Sequence, residues 1–116
     1  GWADTRNALA LAMPQAHIHF FKNLKLHHAV GDYLFVHAGV RPHVRLEEQT
    51  AQDLLWIREE FLDSSANFGR VVVHGHTPAR EPEVRHNRIG IDTGAYMSGK
   101  LTALVLEGRE RQFLST

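Results

Sequence analysis

Apolar and polar residues follow two different spacings along the chain, and these spacings divide it into predicted helices and strands. Residues 3–12 are rich in Ala and Leu, and apolar side chains from Pro14 to Leu24 recur at helical spacing, so both stretches predict helices. Two β-prone runs, Leu26 to Val30 and Tyr33 to Val36, flank Gly31-Asp32. Two such runs around a Gly-Asp pair predict a β-hairpin.

The rest of the chain predicts one longer helix and four short strands. Apolar and charged residues mix at helical spacing from Ala51 to Leu62, with Trp56 and Phe61 expected in the core. Val71 to Val73 is a continuous β-branched run, typical of a strand buried on both faces. Further strands are predicted at Ile89–Ile91, Leu101–Leu106 and Gln112–Leu114. This order predicts a single α+β domain over residues 1–116 with a mostly mixed sheet.

Composition narrows the class of protein. The chain has 116 residues, which suits one small domain, and 13 basic residues balance 13 acidic ones. A net charge of zero predicts neither a nucleic-acid nor a membrane partner, and no apolar run is long enough to cross a bilayer. The absence of Cys excludes disulfides and thiolate metal sites and fits a cytoplasmic location. The chain starts without Met, so we expect an internal piece of a longer protein or a processed start.

Three apolar runs lead directly into short turns of small and polar residues. They are Phe35 to Gly39, Val72 to Thr77 and Gly90 to Gly94. Ligands in layered α/β proteins bind beyond the carboxyl ends of the strands, where the stiff strands fix the side chains. His37 and His76 lie in two of these turns, and His is the commonest metal ligand. We interpret both as metal ligands, although a buried strand-end histidine explains His37 alone and two histidines cannot complete a site.

Two other polar residues near these turns, His74 and Asp92, each have two possible interpretations. His74 and His76 would share a face of a continuing strand, but Gly75 favours a turn that separates them. For His74, a histidine bonded to backbone, either in the core or orienting a metal ligand, is at least as good an interpretation as a metal ligand. Asp92 would orient a ligand or cap its own turn, and the cap is preferred. The remaining histidines are expected on the surface or in the hairpin: His17, His19, His27, His28, His43 and His86.

Four short segments follow one another in an order that characterises a known family. They are Phe35-Val36-His37-Ala38-Gly39-Val40, Leu54-Leu55-Trp56-Ile57-Arg58, Val73-His74-Gly75-His76-Thr77-Pro78 and Ile91-Asp92-Thr93-Gly94-Ala95-Tyr96. In this order they resemble the calcineurin-like metallophosphoesterases, most closely the bacterial branch of the serine/threonine phosphoprotein phosphatases. The resemblance extends from about Pro14 to Gly108, and the four ordered motifs make it specific.

The resemblance implies a fold, a pair of metal ions and a phosphate site. The fold would be the C-terminal half of a β-sandwich flanked by helices, and the intact enzyme would hold two divalent ions (Mn, Fe or Zn) that activate water to attack phosphorus. His37 and His76, rather than His74, would bind the same ion. Arg58 would bind the substrate phosphate through its planar guanidinium, although without the resemblance an exposed helix charge explains it better. Tyr96 would line the substrate mouth or pack.

The motifs of the family's first half are absent, which leaves the function of this chain open. Gly-Asp-x-His-Gly, Gly-Asp-x-x-Asp-Arg-Gly and Gly-Asn-His-Glu, which supply the other ligands, do not occur, and Asp32 is interpreted as a hairpin residue. No catalytic residue is therefore assigned. The main expectation is a serine/threonine protein phosphatase fragment acting on phosphoproteins or small phosphoesters, which needs its missing N-terminal half or self-associates. The alternatives are a dinucleoside polyphosphate hydrolase of the same fold and a non-catalytic metal-binding module.

Overall fold

The computed structural model describes all 116 residues, and its helices and strands follow much of the order that the pattern predicts. The helices are α1 (Trp2–Ala12), α2 (Gln15–Lys22), α3 (Ala51–Trp56), α4 (Glu59–Leu62) and α5 (Ala95–Ser98), with a 3₁₀ turn at Leu46–Glu48. The strands are β1 (His27–Val30), β2 (Tyr33–Val36), β3 (Val71–His74), β4 (Glu83–Val84), β5 (Arg88–Gly90), β6 (Thr102–Glu107) and β7 (Glu110–Ser115). The pattern did not predict α5 or β4, because elements this short carry no periodic signal. None of the helices combines the length and hydropathy that a membrane crossing requires.

Five strands form one mixed sheet in the order β1-β2-β3-β5-β4. The three central strands β2, β3 and β5 run parallel, with Leu34 paired to Val72 and Val73 paired to Ile89. The edge strands β1 and β4 run antiparallel to their neighbours. The predicted α+β class is confirmed, and the carboxyl ends of three neighbouring strands lie at one edge of the sheet. The last two predicted strands do not join this sheet, because β6 and β7 pair only with each other.

The core lies on one face of the sheet, under helices α3 and α4. Its members are apolar and almost fully buried: Leu34, Val36, Ala38, Val40, Leu54, Ile57, Phe61 and Val72. Phe61 has no exposed surface, as predicted for a core residue. The backbone N–H of Ala38 donates to the carbonyl of Leu54 over 2.9 Å, which ties the turn after β2 to helix α3. The turn that carries His37 is therefore anchored directly to the core.

The predicted helix from Ala51 to Leu62 is wrong in one respect, since it breaks after Trp56. Ile57 has extended backbone angles (φ −59, ψ 144), and Arg58 (φ −130, ψ −102) starts the next helix. The break lets Ile57 turn into the core instead of continuing the helix. Trp56, which we expected in the core, is 59% exposed, because the break leaves it on the outer side of the last turn of α3.

Helices α1 and α2 bury no residue at all. Large apolar side chains on and just after them are open to solvent: Trp2, Leu9, Leu11, Phe20, Phe21 and Leu24. Exposed apolar groups of this number on a small chain are typical of surfaces that contact other polypeptide. Self-association of the chain stays a prediction.

Candidate metal site

The turns after β2 and β3 bring His37 and His76 together. His37 directly follows β2, and His76 comes two residues after the end of β3. The backbone N–H of Gly75 donates to the carbonyl of His37 over 2.9 Å, so the two turns are joined beyond the ends of the strands. His37 Nε2 and His76 Nδ1 are 3.2 Å apart, and the ring centroids are 4.9 Å apart. The two strand-end histidines therefore lie side by side, and their role as metal ligands stays a prediction.

The distance between the two facing nitrogens suits a shared metal ion. Imidazole nitrogens bind zinc at about 2.0–2.1 Å, so two of them in a tetrahedral shell lie about 3.3 Å apart. The 3.2 Å between His37 Nε2 and His76 Nδ1 needs almost no adjustment to reach that spacing. No group of three or more His, Cys, Asp or Glu side chains is placed to hold a metal ion, so the pair would fit only as two ligands of a larger shell.

Exposure and backbone geometry also mark this pair as unusual. His37 is exposed, which excludes the simpler interpretation of a buried strand-end histidine, and His76 is half-buried. His76 has φ +67, a left-handed conformation that non-glycine residues seldom adopt. The carbonyl of Gly75 accepts a hydrogen bond from the N–H of Thr77 over 2.8 Å, so His76 is the central residue of a tight γ-turn. Strained residues of this kind concentrate at functional sites.

The surroundings of His76 favour the neutral form of its imidazole. Burial lowers the pKa of His76, and the positive charge of Arg58 and the neighbouring His37 lower it further. The edge of the Trp56 indole also packs against the His76 ring, with centroids 5.6 Å apart and planes at 90°. Since only the neutral imidazole can bind a metal, this depressed pKa favours binding near neutral pH.

Arg58 reaches the same turn from the break between α3 and α4. Its guanidinium donates to Thr77 Oγ1 over 2.9 Å and, more weakly, to the His76 carbonyl over 3.4 Å. The side chain is half-buried, so the interpretation as an exposed helix charge is wrong. One guanidinium nitrogen makes both contacts, which leaves the other N–H donors of the fork free of hydrogen bonds within the chain.

His74 is separated from the other two histidines and lies in the interior. It is 3% exposed, its Nδ1 lies 3.2 Å from the Gly75 carbonyl, and its Nε2 lies 3.3 Å from a guanidinium nitrogen of Arg88. Burial lowers the pKa of His74, and the nearby Arg88 charge lowers it further, while the bond to Gly75 acts in the opposite direction. The structure therefore places His74 behind the metal-site turn, bonded to backbone, as the core interpretation predicts.

The third strand-end turn, after β5, is stabilised by a hydrogen bond between its own backbone and the side chain of Asp92. Asp92 Oδ1 accepts a hydrogen bond from the Gly94 N–H over 2.9 Å, which is the turn cap that we preferred from the sequence. Tyr96 is 81% exposed, so the packing role weighed for it is wrong, and it does not line the adjoining cleft of about 370 Å³. His37, His76 and Asp92 do line that cleft, together with Lys100.

Arg88 is the one residue near the site that sequence reasoning missed. It is 4% exposed in strand β5 and forms an ion pair with Glu83 over 3.0 Å. A signal was present in the sequence, because an arginine next to the apolar strand residues Ile89 and Ile91 needs a partner if it is buried. The pattern gave no means of identifying that partner.

Comparisons with known proteins give short but consistent matches. No family model matches the chain. The chain is 52% identical over 33 residues to a bis(5'-nucleosyl)-tetraphosphatase PrpE of Halalkalibacterium halodurans, covering 28% of this chain and 13% of that protein. It is 50% identical over 34 residues to the protein of the same name from Anoxybacillus flavithermus, covering 29% and 14%. A crystal structure of a protein provisionally assigned as a diadenosine tetraphosphatase matches with a TM-score of 0.73 and 19% identity, over 93% of this chain and 58% of that one.

The structural match shows that the fold is shared across almost the whole chain, whereas the sequence matches cover only a short segment of it. The predicted fold, a part of the metallophosphoesterase sandwich, is therefore confirmed. The sequence relatives are named as tetraphosphatases and not as serine/threonine phosphatases. The chain spans 13 to 14% of the length of these curated relatives and 58% of the solved chain.

Proposed function

We propose that this chain provides part of the active site of a metal-dependent hydrolase that cleaves dinucleoside polyphosphates. The observation that carries the proposal is the 3.2 Å approach of His37 Nε2 to His76 Nδ1, at the joined carboxyl ends of two parallel strands. Two imidazole nitrogens that face each other at this distance are suited to share one cation.

In this proposal His37 and His76 bind one divalent ion, and the fold of the chain holds these two ligands in place. A divalent ion at such a site lowers the pKa of a bound water and neutralises charge on a phosphate. The γ-turn at His76 and the hydrogen bond between Gly75 and His37 fix the backbone that carries both rings before any ion arrives. Because the chain groups only two ligands, the remaining ones come from polypeptide outside these residues. The identity of the ion, Mn, Fe or Zn, is not assigned.

Arg58 has the role of binding a phosphate of the substrate. Its guanidinium lies against the turn that contains His76 and Thr77, and part of its fork makes no hydrogen bond within the chain. A guanidinium can bind two phosphate oxygens at once, so a residue held in this position both orients and neutralises the group next to the metal. The hydrogen bond from Arg58 to Thr77 Oγ1 fixes one guanidinium nitrogen against the turn. This contact sets the orientation of the rest of the guanidinium.

Dinucleoside polyphosphates are favoured over phosphoproteins as the substrate class. The relatives that share the 33- and 34-residue segments are named bis(5'-nucleosyl)-tetraphosphatase, and the structural neighbour carries a related name. The serine/threonine phosphatase expectation from the sequence has no such support. The choice of substrate class therefore rests on the names of the relatives, whereas the metal-binding part of the proposal rests on the approach of His37 to His76.

Binding to the zinc-loaded chain tests both parts. Diadenosine tetraphosphate and a phosphoserine peptide are titrated against it by NMR, and we expect tighter binding of the nucleotide with perturbed signals from His76 and Arg58. An Arg58→Gln variant should weaken nucleotide binding about tenfold, since a charge-assisted hydrogen bond contributes roughly 1.5–3 kcal/mol. The control Arg45→Gln changes an arginine that is exposed and pairs with Glu47 over 3.5 Å, and it should have no effect. Equal losses in the two variants, or preference for the peptide, would overturn the substrate assignment.

A further inference from the structure

The guanidinium of Arg88 makes three contacts inside the fold. It pairs with Glu83 Oε2 over 3.0 Å, donates to the Leu62 carbonyl over 3.2 Å, and approaches His74 Nε2 to 3.3 Å. Both Arg88 and His74 are more than nine-tenths buried. A buried arginine with three partners from three different elements has one fixed orientation, and so it presents its N–H to His74 in a fixed direction.

This contact determines which nitrogen of His74 carries the proton. A guanidinium has donors and no acceptor, so His74 Nε2 must accept the bond from Arg88. The neutral ring then carries its hydrogen on Nδ1, and this N–H donates to the Gly75 carbonyl 3.2 Å away. The opposite tautomer would put two donors face to face at Nε2 and two acceptors face to face at Nδ1.

The carbonyl that His74 holds belongs to the peptide between Gly75 and His76. The orientation of that peptide plane sets the φ angle of His76, which is +67. The same carbonyl closes the γ-turn by accepting from Thr77, and the N–H of Gly75 is held by the His37 carbonyl. Gly75 is thus held at both its N–H and its C=O, and the bond from His74 opposes relaxation of the strained turn.

We propose that Arg88, acting through His74, is a positioning residue that holds the His76 ring against His37. The pathway runs from the Arg88 guanidinium to the His74 ring, then to the Gly75 carbonyl, and ends at the γ-turn of His76. Neither Arg88 nor His74 touches the metal position. The consequence for metal binding rests on the proposed function, but the tautomer and the ring geometry are properties of the metal-free chain.

The first test reads the tautomer of His74 in the chain without metal. Long-range proton–nitrogen NMR at about pH 8, where the imidazoles are neutral, should show the proton of His74 on Nδ1. In an Arg88→Met variant that proton should redistribute toward Nε2, and the ring-nitrogen signals of His76 and His37 should shift as the turn relaxes. The control Glu83→Gln keeps an acceptor for Arg88, so the proton of His74 should stay on Nδ1. A wild-type His74 protonated on Nε2 would overturn the proposal even if the variant did not fold.

The second test measures Zn²⁺ affinity in two variants of His74. His74→Phe keeps the ring volume that packs edge-on against Phe61, with centroids 4.9 Å apart, but has no N–H for Gly75. We expect it to bind Zn²⁺ about tenfold more weakly, as outer-shell changes do. His74→Asn restores an N–H near the position of Nδ1 and should recover most of that loss. Equal affinities of the Phe variant and the wild type would contradict the proposal.

The two tests separate this inference from the proposed function. If the wild-type chain fails to bind Zn²⁺ but His74 shows the Nδ1–H tautomer and the Arg88→Met shifts at His76, the metal role fails and the positioning role stands. If Zn²⁺ binds and the tautomer is reversed, the metal role stands and the positioning role fails.

Discussion

Gly39 packs directly against Phe61 in the turn that carries His37, and Gly39→Ala tests how much this packing contributes to stability. A methyl group placed there would lie 2.2 Å from Cδ1, 2.5 Å from Cγ and 2.7 Å from Cε1 of the Phe61 ring. Carbon atoms in proteins rest at about 3.5–4.0 Å, so all three contacts are severe overlaps. Phe61 has no exposed surface and lies in the middle of the core cluster, and therefore it cannot swing into solvent to relieve them.

The size of the effect follows from the overlap. The backbone around Gly39 or the Phe61 ring must move by about an ångström, and overpacking of this kind costs roughly 1–3 kcal/mol. For a domain of this size that corresponds to a fall in Tm of about 4–12 °C. The turn that moves is the one that carries His37 two residues earlier, so the His37–His76 approach should also loosen.

Thermal and urea unfolding followed by far-UV circular dichroism measure this loss. Fluorescence is less suitable, because both tryptophans, Trp2 and Trp56, are largely exposed. The matched control is Gly75→Ala, where a methyl group would meet Asp92 Cβ at 3.5 Å, the His37 carbonyl at 3.7 Å and Asp92 Oδ2 at 3.8 Å. Ordinary contacts of that length predict a change below about 1 kcal/mol. A Gly39→Ala variant as stable as the wild type, or a Gly75→Ala variant that loses more, would refute the packing argument.

Two further predictions concern pH and activity. The pKa values of His74 and His76 are lowered in the folded chain, so the unfolded chain binds more protons once the pH falls to its own His pKa of about 6.5. The contribution of these two residues to the free energy of unfolding should be constant above about pH 7.5 and should decrease as the pH falls through 6.5. Urea titrations at pH 8, 6 and 5 measure this trend, and a rise toward pH 5 would contradict the assignment. The isolated chain should not hydrolyse p-nitrophenyl phosphate measurably with added Mn²⁺, because it groups only two metal ligands; turnover that persists through purification and disappears in His76→Ala would show otherwise.

The sequence predicts the parts of this fold that depend on local pattern and strand ends. The hairpin around Gly31-Asp32 and the buried strand Val71–Val73 have strong β-branched or alternating runs, and both are present. The approach of His37 to His76 follows from the parallel order of the central strands, since equivalent ends of neighbouring parallel strands meet at one edge. Residue type and position after a strand singled out His37 and the His74–His76 segment, and the family motifs selected His76 over His74; the role of the pair as metal ligands stays a prediction.

Other features depend on tertiary contacts that no local pattern contains. The break between α3 and α4 occurs because Ile57 packs into the core, and only that break exposes Trp56 and turns Arg58 toward Thr77. The burial of Arg88 becomes apparent only when Glu83 and His74 are seen around it. The family motifs predicted a phosphate-binding role for Arg58, which stays a prediction, whereas the helical pattern alone assigned it to an exposed face.

Zn²⁺ binding by the chain and its histidine variants tests the central claim most directly. Isothermal titration at about pH 7.5 should show one weak Zn²⁺ site in the wild type, and His37→Ala and His76→Ala should each abolish it, because each variant removes one of two facing ligands. The control His28→Ala changes an exposed strand histidine and should leave the affinity unchanged. Zn²⁺ binding that survives the loss of both His37 and His76, or that disappears with His28, would contradict the account.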